Sequence, residues 1–328
     1  MRSRPVLLLV LVIASLAGAS PAAAEPPIYW GVATHTEGAQ NMHQVRRGVE
    51  DMIGRGFATF RKYANWDQVL PTSWMKSLWR DERIVPVTAW TTYGRGDDDL
   101  RFAQVANGSH DDDIRAQARA IAAARVPMIF TFQHEPEVGQ GSKDPQAGPA
   151  EDYIAAFTRI YDIFETLGAN EYLTWTNTLA LAAFKENRGT PADWTPPNRY
   201  FDWVGVDGYV RFPCVVWRDR KFLTFRETFR EAHAFSVIRG KPLFIMEVGI
   251  VEQNSCDYPG DPLAKAAWVR EARTVIKEWG NVTGITWSHV KKPFGSAFVN
   301  YHVDTSRAAL QAFIDVGNDP YFSRFGAP

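Results

Sequence analysis

Cysteine is nearly absent from this sequence: Cys214 and Cys256 are the only two in 328 residues. Two thiols are too few for a structural zinc site by themselves, whereas in an oxidising compartment two can pair. Also missing is any block of like charge. Thirty-six basic residues face thirty-seven acidic ones, with no basic tract and no acidic tail. That removes the electrostatic ground for a nucleic-acid or anionic-membrane partner and favours a neutral ligand. Long apolar runs are lacking too. The one candidate, Val6 to Gly18, is roughly 13 residues long, too short to span a bilayer comfortably. With Arg2 and Arg4 before it and Ala22-Ala23-Ala24 after it, it has the three-part pattern of a secretory signal peptide. The expectation is cleavage after Ala24, secretion, no membrane association afterwards, and one mature domain of residues 25–328.

Aromatic residues, by contrast, are plentiful. Twelve tryptophans and eleven tyrosines exceed what a core of this size ordinarily needs, and flat aromatic faces are what a cleft offers to sugar rings. The plainer alternative is that many of them are packed. Cys214 and Cys256 each follow an expected strand by a few residues, so a disulfide tying two loops of one face is expected.

The chain alternates and does not repeat. Short apolar, β-branched or aromatic runs recur at Ile28 to Ala33, Phe57 to Tyr63, Ile84 to Trp90, Pro127 to Gln133, Tyr172 to Thr176, Phe201 to Asp207, Leu243 to Glu247 and Gly284 to His289. Between most of them lie helical periodicities: Val45, Val49 and Met52; Ile114, Ala118 and Ile121; Ile154, Phe157, Tyr161 and Phe164; Phe225, Phe229 and Ala232. Thr224 to Glu227 reads as a capping box, and Asp261-Pro262 as a helix start. Eight strand–helix units predict a single parallel (β/α)8 barrel. The stretches after Thr176 and after Trp90 show no clean helix, and both fall in connections that build the binding face of such a barrel. The acidic triplet Asp111-Asp112-Asp113 reads as the first turn of a helix, complementing its dipole, in preference to a calcium site. Arg95-Gly96-Asp97 is a tripeptide expected by chance and carries no weight.

The chemistry concentrates in "TFQHEPE", Thr131 to Glu137, and in "PLFIMEVG" around Glu247. Glu135 falls just past the fourth strand and Glu247 at the end of the seventh, where functional residues of such barrels sit. Two carboxylates converging on a barrel mouth are the minimum apparatus for glycoside hydrolysis. For each glutamate alone, the alternative is a salt bridge to a loop cation. Glu137, on the loop, and Asp207, before Gly208, are competing carboxylates, the latter read as a possible acceptor of loop amides. The strand-end rule adds Tyr63, Trp90 and Trp175, with Trp217 on the loop after the sixth strand, as cleft candidates that packing would equally explain.

The pieces "NGSHDDDIRAQARAIAAARVPMIFTFQHEPE", "YIAAFTRIYDIFETLGANEYLTWTN", "YFDWVGVDGYV", "KPLFIMEVGI" and "ITWSHV", in this order, resemble glycoside hydrolase family 26, a family of retaining β-glycanases. The resemblance implies Glu135 as acid/base, Glu247 as nucleophile and His134 beside the sugar undergoing cleavage. It further implies Tyr209 as hydrogen-bond donor to the nucleophile and Trp287 as the floor of that subsite. Pro136-Glu137-Val138 replaces the family's usual continuation after His-Glu, which puts the substrate in question more than the reaction type. The expectation is a monomeric endo-β-glycanase acting on β-linked polysaccharide, foremost β-1,4-mannan, with no metal or organic cofactor. Mixed-linkage β-glucan and β-1,3-xylan are the alternative substrates. A non-catalytic carbohydrate-binding barrel and a cell-wall scaffold are the competing classes.

Overall fold

The computed structural model describes residues 27–93, 100–138, 147–185, 190–215, 221–252 and 260–325. Eight parallel strands, β1 (Tyr29–Thr34), β2 (Thr59–Ala64), β3 (Val85–Trp90), β4 (Met128–Phe132), β5 (Leu173–Ala180), β6 (Trp203–Val210), β7 (Leu243–Ile250) and β8 (Val282–His289), pair in sequence order and close β8 onto β1. The fold is the (β/α)8 barrel that the alternation predicts. Around it run α1 (Met42–Ile53), α2 (Ser73–Ser77), α3 (Phe102–Ala106), α4 (Asp111–Ala124), α5 (Ala150–Thr166), α6 (Leu181–Phe184), α7 (Phe225–Arg239), α8 (Ala264–Trp279) and α9 (Arg307–Gly317). No described helix is long and apolar enough to cross a membrane.

Local chemistry accounts for the helix ends. Thr224 Oγ1 accepts from the Glu227 N–H while Glu227 Oε2 accepts from the Thr224 N–H, and Gly240 ends α7 at φ 62°, as a left-handed C-cap requires. The acidic triplet occupies the first turn of α4, where Asp111 also takes Arg159 at 2.6 and 2.8 Å. Asp261 acts slightly upstream of its expected place. Its carboxylate accepts from the Leu263 N–H at 2.8 Å, and α8 begins at Ala264.

Three differences from the expected layout matter for the site. Strands β5, β6 and β7 run three or four residues further than their apolar runs, because polar residues and glycines such as Asn177, Thr178, Gly208 and Gly249 interrupt the apolar pattern before the strands end. The connection after β5 is the four-residue α6 followed by 3₁₀ turns at Pro191–Trp194 and Asn198–Tyr200, so it lacks a helical period. After β8 an antiparallel hairpin, β9 (Lys291–Phe294) and β10 (Ala297–Asn300), turns at Gly295 with φ 58°. Arg95 to Asp97 lie outside the described residues.

Inside the barrel, the lower layer is apolar: Tyr29, Val85, Val87, Ile129, Trp203, Phe244 and Met246 are all buried together. The layer fills the barrel, so Gly284 is obligatory; a Cβ there would lie 2.4 Å from the Phe244 ring. Further along the strands the interior turns polar, with Thr59, Thr131, Thr176, Thr178 and Thr286 buried. The charged groups lie beyond them. A second, larger core fills the space between the strands' outer faces and the helices.

Candidate active site

Strand alternation alone would point Glu247 at the helices. Phe244 and Met246 belong to the barrel interior, so the next residue in a regular strand faces outward. The pairing of β7 with β6 passes from Val206↔Ile245 directly to Asp207↔Glu247, and the pairing with β8 is also interrupted between Ile245 and Val248. Met246 is the extra residue of a β-bulge. A bulge re-aims the side chain that follows it, and here it turns Glu247 into the mouth.

Arg61 and Tyr63, two apart on the inner face of β2, meet that carboxylate. Arg61 Nε lies 3.1 Å from Glu247 Oε1, and its Nη2 lies 3.1 Å from Asp207 Oδ2. The guanidinium is fully buried. Burial opposes its charge, but Asp207 and Glu247 outweigh that cost and raise its pKa. Tyr63 donates its O–H to Glu247 Oε1, and Tyr209 donates to Oε2 at 2.5 Å. With the Tyr209 hydrogen committed, Ser288 Oγ, 2.9 Å away, donates to the Tyr209 oxygen. Burial holds the Tyr209 phenol well above its ordinary pKa, so it remains a donor.

Glu135 stands on strained backbone. It has φ 47° and Gln133 has φ 53°, a region that costs a residue with a side chain about 1 to 3 kcal/mol. The turn is held by the Gln133 N–H to Trp90 O and the Glu135 N–H to Thr178 O, each 2.9 Å, and by Gln133 Oε1 accepting from the Thr92 N–H at 3.1 Å. Burial raises the Glu135 pKa; His134 opposes the rise, Asp207 adds to it, and Arg61 opposes it again. His134 Nδ1 lies 3.3 Å from Asp207 Oδ2, and its ring packs on Tyr63 with centroids 4.5 Å apart. Asp207 is therefore not an acceptor of loop amides. It joins Arg61 to His134 beneath the two glutamates.

Glu137 is a different kind of carboxyl. It is fully buried, accepts from the Ala180 N–H at 2.6 Å through Oε1, and leaves Oε2 without a hydrogen bond. Burial pushes its pKa up to about 8, so it is mostly protonated at neutral pH and ties the loop after β4 to β5.

Three of the aromatic expectations need correction. Trp287 packs against Trp30, Trp268 and Phe313, on the helix side of β8, because Thr286 and Ser288 take the inward positions. Trp90 stacks on Trp66 at 4.1 Å and 8°, and Trp175 sits among Phe130, Phe157 and Phe164. All three are at most 3% exposed and are core residues. Tyr63 and Tyr209, by contrast, lie against Glu247, and His134 lies against Tyr63 and Asp207. Trp217 and Cys256 lie outside the described residues, while Cys214 sits on the turn after β6. Sequence reasoning missed Arg61 and Ser288. The signal for the first was present in Thr59, Arg61 and Tyr63, a polar inner face on a strand.

Among the described residues, two His–carboxylate groups are close enough to consider for a cation: His134, Glu135 and Asp207, and Glu37, His289 and His302. In the first, Asp207 is already paired with Arg61. In the second, the imidazoles stack at 4.1 Å and 9°, so their in-plane lone pairs do not converge on one point. A cavity of about 220 Å³ opens beside Glu247, and Arg61, Tyr63, Tyr209, Ser288, His35 and Lys292 are among the residues that line it.

The closed (β/α)8 barrel is a fold that this chain shares with proteins of known structure. No family model matches the chain. It is 23% identical over 291 residues to Endoglucanase H of Acetivibrio thermocellus, a match covering 84% of this chain and 29% of that protein's length. The structure is similar to the catalytic domain of the GH26 endo-β-1,4-mannanase of Bacillus sp. JAMB-750, with TM-score 0.60, 16% identity, and 90% and 86% of the two chains covered. It is likewise similar to a GH26 β-mannanase from Bacteroides ovatus, with TM-score 0.61, 12% identity and 90% of each chain covered. The resemblance to glycoside hydrolase family 26 thus extends from the motifs to the fold.

Proposed function

We propose that the protein is a glycoside hydrolase, a secreted endo-β-glycanase that cleaves β-linked polysaccharide by double displacement. The observation that carries this reading is the bulge at Met246, which aims Glu247 into the mouth where Arg61, Tyr63 and Tyr209 receive it. A carboxylate with two phenol donors and one guanidinium is held in one orientation, as a nucleophile requires. Glu135, whose pKa is raised chiefly by burial, protonates the departing oxygen while Glu247 attacks the anomeric carbon. The glycosyl-enzyme then neutralises Glu247, and Glu135, now deprotonated, takes a proton from the incoming water. His134 and Asp207 position Glu135, and Arg61 keeps the two anionic partners in register.

The relatives favour β-1,4-mannan as substrate, with mixed-linkage β-glucan and β-1,3-xylan as alternatives. Reducing-end release from a panel of these polymers tests the reading. Cleavage of a β-glycan supports it. Binding without cleavage would replace it with a carbohydrate-binding barrel, and cleavage of α-linked polymers alone would refute it. Export with cleavage after Ala24 and a Cys214–Cys256 disulfide belong to the same proposal. The second is supported by Cys214 having a partner, and denatured, unreduced mature protein should titrate no free thiol.

A further inference from the structure

The cavity beside Glu247 lies to one side of the two glutamates. Among the described residues, its lining comes from β1, β2, β6, β7 and β8 and from the segments that follow β1 and β8, with no residue of β3, β4 or β5. In the closed ring β4, which leads into Glu135, stands opposite β8, so the cavity opens on the side of Glu247 away from Glu135. In a double displacement the acid serves the departing oxygen of the reducing-side sugar, and the nucleophile attacks the anomeric carbon of the sugar on the non-reducing side. The cavity is thus placed for the non-reducing side of the substrate. At about 220 Å³ it is smaller than a drug-sized site of roughly 300 to 1,000 Å³, a size that suits a single sugar ring.

Among the described residues, two polar side chains that line this cavity, His35 and Lys292, have no hydrogen-bond or ion-pair partner. Strand β9 alternates, turning Lys291 and Pro293 to solvent and Lys292 and Phe294 inward. Lys292 Nζ comes to 5.7 Å from the ring centroid of Tyr209, the residue that donates to Glu247. His35 lies just past β1, within reach of solvent. Partial burial and the Lys292 charge lower its pKa against the pull of Glu247 and Glu37, which leaves a neutral imidazole with one donor and one acceptor nitrogen. The segment that carries it is pinned. Thr34 Oγ1 donates to Met42 O at 2.8 Å, Glu37 and Gln40 exchange backbone hydrogen bonds at 3.0 and 2.9 Å, and Glu37 Oε1 lies 2.7 Å from His302 Nε2. His302 is itself fixed, its ring stacked on His289 at 4.1 Å and its carbonyl accepting from the buried Lys265 at 2.7 Å. The contact joins the segment after β1 to the hairpin after β8 across the wall of the cavity.

Resting on the hydrolase reading above, we propose that His35 and Lys292 bind the hydroxyls of an uncharged sugar on the non-reducing side of the bond that breaks, and that Glu37, through its contact with His302, positions His35 for that role. The three act in binding. Lys292 brings a charged donor, His35 a donor and an acceptor, and a sugar hydroxyl can meet either.

The test uses an aryl β-glycoside of two sugars, built from the sugar of whichever β-glycan the protein cleaves, because such a substrate has no sugar on the reducing side. His35→Phe and Lys292→Met should each raise KM about tenfold, the loss expected of one hydrogen bond, with kcat nearly unchanged, since the contact is made equally before and during the reaction. His35→Gln, which keeps a donor and an acceptor, and Lys292→Arg should retain most of the affinity. Glu37→Ala should give a smaller rise in KM that disappears in the His35→Phe background and persists in the Lys292→Met background. A merely structural role for Glu37 would lower the melting temperature in every background and leave KM alone. At this solvent-facing rim, His35→Ala and Lys292→Ala stand in for any variant that fails to fold. Unchanged KM in both single variants would overturn this inference and leave the hydrolase reading standing, as would a loss that appears only with substrates extended on the reducing side. No cleavage of any β-glycan by the unaltered protein would remove the hydrolase reading, and this inference with it.

Discussion

Glu137→Gln isolates the energetic role of a buried carboxyl near the site that is not proposed to act on substrate. The glutamine is isosteric with the protonated acid and keeps an oxygen for the Ala180 N–H. Burial raises the native pKa to about 8 from a reference value of 4.5. Between those pH values native Glu137 keeps its proton while the unfolded chain has lost it. The native state binds more protons, so stability falls as pH rises. The contribution is fully present below about pH 4.5 and is lost as pH passes through 8. A shift from 4.5 to about 8, at about 1.4 kcal/mol per unit, sets an upper bound of roughly 5 kcal/mol. Urea unfolding at pH 5 and pH 9 for wild type and variant gives the difference directly. Wild type should lose several kcal/mol more than Glu137→Gln over that range. Parallel losses would show that Glu137 ionises freely in the native state, and would refute the desolvation argument.

Trp287→Phe should lower stability by about 0.5 to 3 kcal/mol, as expected for trimming a packed core residue, and leave KM unchanged. A raised KM with unchanged stability would return Trp287 to the cleft. Arg61→Met strips the counter-charge from both Asp207 and Glu247. Breaking a buried pair in this way costs about 3 to 5 kcal/mol, so the melting temperature should fall along with activity. An active variant of native stability would mean that the pairing is dispensable.

The barrel was legible because its evidence is repetitive: eight apolar runs, helical periods between them and caps at their ends. The two glutamates were legible because an unpaired carboxylate at a strand end is costly and therefore conspicuous. What was not legible is direction. Trp90 and Trp287 lie at or near strand ends just as Tyr63 and Tyr209 do, and only the inside–outside phase of each strand separates cleft from core, while Trp175 lies early in a strand that runs on to Ala180. For Glu247 the phase itself changes at Met246, and a bulge leaves no mark in an apolar run. Arg61 is far in sequence from both carboxylates that it serves, so no local pattern pairs them. The hairpin at Lys291 to Asn300 was hidden by polar residues that read as loop.

The central claim is that Glu247 attacks and Glu135 supplies and then removes the proton. Proton NMR of the first products from a defined β-linked oligosaccharide measures it most directly, since retaining enzymes hold their carboxyls about 5 to 5.5 Å apart and pass through a glycosyl-enzyme. The account predicts that the β-anomer appears first. With an activated aryl glycoside, Glu135→Ala should still form the intermediate and release it faster with azide, while Glu247→Ala should do neither. An α-anomer as first product, or azide rescue of Glu137→Ala or Asp207→Ala in place of Glu135→Ala, would contradict it.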